Sequence, residues 1–116
     1  MAEGGFSVVH RGLQLSTGQR VAVKVIPKEA LTREGFEREV EILQAVSHHA
    51  NVVNFREALE SNSSWFLVLD HCEGGELFDR VIEFLSAAGT VPTETARALF
   101  GQMVSGVEHM HRHGVC

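Results

Sequence analysis

The sequence is poor in the features that commit a chain to a special compartment or a charged partner. Only two cysteines occur, Cys72 and Cys116. They stand too far apart for a local metal clip and are too few for a disulfide scaffold. No apolar run approaches the ~20 residues that span a bilayer. Met1-Ala2-Glu3-Gly4-Gly5 has neither the basic nor the apolar segment of a signal peptide. Basic charge is short too: Lys plus Arg is 10 against 15 for Asp plus Glu, a formal net charge of −5. A grip on nucleic acid or anionic lipid needs a basic face, and this balance argues against one. There is no internal repeat, low-complexity tract or long charge block. The expectation is an intracellular, cytoplasmic protein without nucleic-acid or membrane partners. A catalytic domain of 116 residues must be small, dimeric or incomplete.

Hydrophobic patterning gives the elements. Residues 6–26 read as a hairpin, with Ser16-Thr17-Gly18-Gln19 as its turn and Gly18 able to take positive φ. Its second strand, Val21-Ala22-Val23-Lys24-Val25-Ile26, is β-branched and mostly apolar. A helix follows, with Thr32 as N-cap, Glu34 in its first turn, and Phe36, Val40, Leu43 and Val46 at helical spacing. It fades at Ser47-His48-His49. A second β pair runs from Val52 to Leu59 and from Trp65 to Leu69, with Ser61-Asn62-Ser63-Ser64 between. Gly74-Gly75 ends the β region. A short helix carries Leu77, Phe78, Val81, Ile82 and Leu85. A longer one, with Thr93 as N-cap and Gly114 as its stop, carries Ala96, Leu99, Phe100, Met103, Val104, Val107 and Met110. The order β, β, helix, β, β, helix, helix is α+β. The last stripe must be covered, either by the helix before it or by a layer outside these residues.

Four features can carry chemistry, and each also has a plain structural reading. Glu3-Gly4-Gly5-Phe6-Ser7-Val8-Val9 lets backbone approach phosphates, or is a turn. Lys24 sits in an apolar strand, where a cation is costly unless paired. It meets phosphate oxygens, or it faces water on an edge. Glu39 lies 15 residues later and borders the apolar face of its helix, while Glu37 and Glu41 fall on other sides. It reaches the strand lysine, or it is a solvated glutamate. Trp65-Phe66-Leu67-Val68-Leu69-Asp70-His71-Cys72 runs from an apolar strand into a connector with exposed backbone groups. Glu76 beyond it meets a ribose hydroxyl or a basic substrate side chain, or only favours a helix N-terminus. His109 and His113 share a helix face at i, i+4, a spacing that can hold a metal. With no third convergent ligand, no metal site is expected there.

Together, in this order and spacing, the residues resemble a protein kinase of the eukaryotic Ser/Thr type. The likeness covers essentially the whole chain. Gly74-Gly75-Glu76-Leu77-Phe78-Asp79 and Val107-Glu108-His109-Met110-His111 are similar to the calcium/calmodulin-dependent group. The resemblance implies a small lobe of antiparallel sheet plus one helix, and the first two helices of the large lobe. It divides the chain into small lobe and hinge (1–72) and the start of the large lobe (73–116). It implies ATP and Mg²⁺ as cofactors and a protein substrate in the parent enzyme. Gly4, Ser7 and Val9 match the nucleotide-covering loop, with Val9 on the adenine and Ala22 roofing it. Lys24 matches the lysine on the α- and β-phosphates and Glu39 its helix partner. Leu69 matches the gatekeeper. Asp70 and Cys72 match the hinge positions that bond adenine through backbone C=O and N–H, and Glu76 the acid at the mouth of the pocket. Leu43 and Phe55 match packing positions behind it.

The departures shape the expectation as much. Ala2 stands where the family loop begins with glycine, and Ser7 replaces its third glycine. No strand is expected before the loop. His111-Arg112-His113-Gly114-Val115-Cys116 resembles the segment just before the His-Arg-Asp catalytic loop, so the expectation is an incomplete domain without catalytic base or metal ligands. Two other readings stay open: a non-catalytic interaction module using Leu99, Phe100, Met103 and Val107, and an incomplete gene model.

Overall fold

The computed structural model describes residues 2–4, 7–73 and 76–115. Phe6 and Gly5 of the loop, the Gly74-Gly75 pair and Cys116 lie outside the described residues. The chain divides into two compact units, Met1–His71 and Cys72–Cys116.

The first unit is a five-stranded sheet with one helix. Its strands are β1 (Ala2–Gly4), β2 (Ser7–Leu13), β3 (Arg20–Pro27), β4 (Phe55–Glu60) and β5 (Ser64–Asp70). The spatial order is β1-β2-β3-β5-β4, with every pair antiparallel. The β2–β3 hairpin forms as its turn chemistry requires, with Gly18 at φ 72°. The loop motif itself opens on a short strand, Ala2–Gly4, which pairs with β2 so that Gly4 lies opposite Ser7. Three residues are too few for alternation to mark them in the sequence. The strand read from Val52 begins at Phe55.

Helix α1 (Arg33–Val46) is capped by Thr32, whose hydroxyl accepts the Gly35 N–H at 3.1 Å. It packs on the sheet through Phe36. The core joins Ile26, Phe36, Phe55, Trp65 and Leu67, with Leu31, Val40, Leu43, Ala58 and Leu69 against them. Trp65 is its centre. Its ring stacks on Phe36 with centroids 4.7 Å apart. Its indole N–H donates to the Leu31 carbonyl at 2.9 Å. Lys28 and Arg33 lie over the ring, at 4.6 Å and 5.1 Å, and both bond Glu60.

The second unit holds α2 (Leu77–Ala88) and α3 (Thr93–Arg112). Thr93 is the first helical residue rather than the cap. Pro92, with ψ 137°, is the N-cap, and its carbonyl accepts the Ala96 N–H at 2.9 Å. Gly114 stops α3 at φ 76°. Its N–H bonds the His111 carbonyl and that of Val115 bonds Met110, the two hydrogen bonds of a Schellman end. Neither apolar stripe is covered: Phe78 and Phe100 are 68% and 67% exposed, and Gly106 is the one buried residue of the two helices. No described helix is long and apolar enough to cross a membrane.

Candidate functional site

The site is built by register. Val9 stands opposite Lys24 across β2 and β3. Across β3 and β5, Lys24 stands opposite Leu67 and Ala22 opposite Leu69. Side chains of directly opposed residues share a face, and residues two apart along a strand do too. Val9, Ala22, Lys24, Leu67 and Leu69 therefore line one face of the sheet. Ile26 and Trp65 continue it under α1. Four residues singled out from the sequence are thus brought together by period-two alternation alone.

Lys24 does not face water on an edge. It lies in the middle strand of the five, and its ammonium donates to Glu39 Oε1 at 3.2 Å. The pair is part-buried, with about a third of each side chain exposed (32% and 35%). Among the three glutamates in this stretch of α1, Glu37 and Glu41 are exposed and Glu39 is not. Helical spacing explains the difference: Glu39 borders the face that carries Phe36, Val40 and Leu43. Beside the pair is a cavity of about 170 Å³ lined by Ser7, Lys24, Ile26, Ala30, Leu31 and Glu39. An ammonium has three donors, and Glu39 takes one. A cation fixed on a rigid strand next to such a space suits a phosphate oxygen.

Asp70 is the last residue of β5. Its N–H donates to the Asn54 carbonyl at 2.9 Å, and its carboxylate accepts Arg56 Nε at 2.5 Å. Leu43 and Phe55 belong to the core, in the structural role expected of them. Cys72 and Glu76 fall in the second unit. Cys72 is an exposed free thiol. Glu76 occupies the N-cap of α2 without a side-chain cap bond. The rings of His109 and His113 lie 4.4 Å apart, and His113 Nδ1 is 2.9 Å from the His109 carbonyl. Among the described residues no group of three or more His, Cys, Asp or Glu is placed to hold a metal ion.

Sequence reasoning missed Ala30 and Leu31, which close the cavity from the β3–α1 connector. It also missed Arg56. A cation flanked by Phe55 in a strand was a usable signal, because it must find a partner. That partner is set by a register irregularity: Phe55 pairs with Leu69 and Glu57 with Val68, which leaves Arg56 as the extra residue of a bulge.

Comparisons with known proteins identify the family. The family model "Protein kinase domain" matches residues 1–116. A Dictyostelium discoideum protein named "probable myosin light chain kinase" is 39% identical over 119 residues, covering 100% of this chain and 29% of that protein. Calcium-dependent protein kinase 24 of Arabidopsis thaliana is 37% identical over 119 residues, covering 99% of this chain and 20% of that protein. The crystal structure of Rad53 in complex with AMP-PNP superposes with a TM-score of 0.80 at 29% identity, covering 97% of this chain and 28% of that one. The chain thus spans between a fifth and three-tenths of the length of these relatives. A five-stranded antiparallel sheet with one helix, a lysine–glutamate pair across them, and a family match over every residue have one conclusion: the chain belongs to the protein kinase domain family, among relatives of the Ser/Thr kinase type.

Proposed function

We propose that this chain holds ATP on the α1 side of its sheet, as the nucleotide-binding part of a protein Ser/Thr kinase. The observation that carries the reading is the Lys24–Glu39 pair at 3.2 Å, on the face shared by Val9, Ala22 and Leu69. Residues 1–72 act as the small lobe and hinge, and 73–116 as the first two helices of the large lobe. The reaction of the whole domain is γ-phosphoryl transfer from ATP to a Ser or Thr hydroxyl of a protein substrate.

Each residue then has a task. Glu39 holds Lys24 extended, and Lys24 takes the α- and β-phosphates. The main chain of Gly4 and Ser7 lies along the phosphates. Val9, Ala22 and Leu69 are apolar and suit the faces and rear edge of a purine. The Asp70 carbonyl and the Cys72 N–H serve the purine's hydrogen-bonding edge, and Glu76 the ribose or a basic substrate side chain. Mg²⁺, which the family uses with ATP, is expected to take its protein ligands from residues that this chain does not hold. No residue here is given the role of general base. The chain alone is expected to bind nucleotide without transferring phosphate.

Calorimetric titration with ATP tests the reading. Lys24→Met is expected to weaken binding about ten- to a hundredfold, the range for losing a hydrogen bond to a charged group. Its melting temperature is expected to stay near the wild-type value, because a part-exposed ion pair adds roughly 0–1 kcal/mol to stability. Equal affinity of the two proteins for ATP contradicts the proposal.

A further inference from the structure

Asp70 is tied down far more tightly than the end of a strand requires. Its N–H is held by the Asn54 carbonyl. Its carboxylate is held by Arg56. Arg56 in turn donates through Nη1 to Gln14 Oε1 at 2.7 Å, and Gln14 is pinned in the β2–β3 turn by main-chain bonds from its N–H to Gln19 and from the Gly18 N–H to its carbonyl. Asn54 is anchored too. Its side-chain carbonyl accepts the Ser47 hydroxyl, and Ser47 Oγ accepts the Phe55 N–H at 3.0 Å. Ser47 is the C-cap of α1. Three separate elements therefore converge on one residue.

The bulge in β4 makes this possible. An extra residue leaves the strict alternation of the strand and is re-aimed. Here that residue is Arg56. Its guanidinium is planar and presents donors in a fixed fork, so Nε and Nη1 can serve two acceptors at once. A lysine at this position has one point of charge and cannot span both.

We infer that Arg56 is a positioning residue for base recognition: by clamping Asp70 it fixes the main-chain carbonyl that selects a 6-amino purine over a 6-oxo purine. The inference rests on the nucleotide-binding reading above. A carbonyl held in place accepts a hydrogen bond from the exocyclic amino group of adenine. It faces an oxygen in hypoxanthine and leaves two acceptors opposed. Discrimination of this kind depends on the carbonyl being unable to turn away, since a mobile acceptor avoids the mismatch at little cost. The phosphate grip at Lys24 and Glu39 has no part in the choice of base.

The test is calorimetric titration of the full 116-residue chain with ATP and with inosine triphosphate. The wild type is expected to prefer ATP. In Arg56→Gln the ATP-to-ITP affinity ratio is expected to fall about three- to tenfold, the worth of one neutral hydrogen bond, while ITP affinity stays unchanged. Arg56→Lys is expected to fall between the two. Gln14→Ala breaks the same clamp from a turn outside the sheet and is expected to lower the ratio in the same direction. It also keeps the test decisive if Arg56→Gln does not fold. An unchanged ratio in the folded variants overturns the inference, as does an equal loss for both nucleotides. A wild type that binds both nucleotides equally overturns the base-recognition reading itself, and does so before any substitution is made.

Discussion

Glu60 is one carboxylate serving two cations. Lys28 Nζ lies 2.6 Å from Oε2, and Arg33 donates through Nη2 to Oε2 at 2.8 Å and through Nη1 to Oε1 at 3.3 Å. The Lys28 and Arg33 hydrogen bonds hold the Glu60 carboxyl below the usual glutamate range, and Glu60 in turn pushes the Arg33 guanidinium up. The sign follows from linkage. A group depressed in the folded state contributes stability above its unfolded pKa, about 4.3, and loses it as pH falls through the lower folded value. Arg33 stays charged in both states throughout that window and adds no slope there. Stepwise thermal melts in low salt from pH 5 to pH 3 are therefore expected to show a steeper loss in wild type than in Glu60→Gln. The difference is expected to shrink in ~0.5 M salt, because exposed charges are screened. Parallel slopes would show that the Glu60 cluster adds no pH-dependent stability.

The element that organises the first unit is β5. Both of its neighbours, β3 and β4, carry core residues, and Trp65 and Leu67 on it are 3% and 1% exposed. Trp65 meets α1 through Phe36, the β3–α1 connector through Leu31, and β4 through the Glu60 cluster. Trp65→Ala removes a buried ring that the surrounding backbone cannot collapse upon. Urea unfolding followed by far-ultraviolet circular dichroism is expected to report a loss of about 3–5 kcal/mol. A loss under about 1 kcal/mol shows that the core is organised elsewhere. Much of this level was legible in the sequence. Thr32 caps α1 because a β-region residue with a hydroxyl precedes its apolar stripe, and Gly18 and Gly114 mark turns that need positive φ. Pro92 was misread because proline offers no side-chain oxygen, although its carbonyl starts the α3 ladder. β1 was missed because its three residues are too few to show alternation.

At the scale of the molecule, the two units differ in how much of their apolar surface is resolved by their own residues. The sheet unit buries its face under α1. The helical unit leaves Leu77, Phe78, Ile82, Leu85, Phe100, Met103, Val104 and Val107 exposed. The sequence showed these stripes and could not show what covers them, since helical periodicity identifies a face without its partner. The Lys24–Glu39 pair was legible for a different reason. Lys24 and Glu39 are cationic and acidic groups at the border of apolar runs, where a partner is obligatory. Arg56 was not, because a one-residue bulge decides its direction and no local pattern encodes it. If ATP lies on the α1 face of the sheet unit, amide chemical-shift mapping of the ¹⁵N-labelled chain with AMP-PNP will show it. Saturable shifts are expected at Ser7, Val9, Ala22, Lys24, Glu39, Leu69 and Asp70, with their midpoint moved to about ten- to hundredfold higher nucleotide in Lys24→Met. Shifts confined to residues 93–112, or none in the sheet at saturating nucleotide, would contradict that placement.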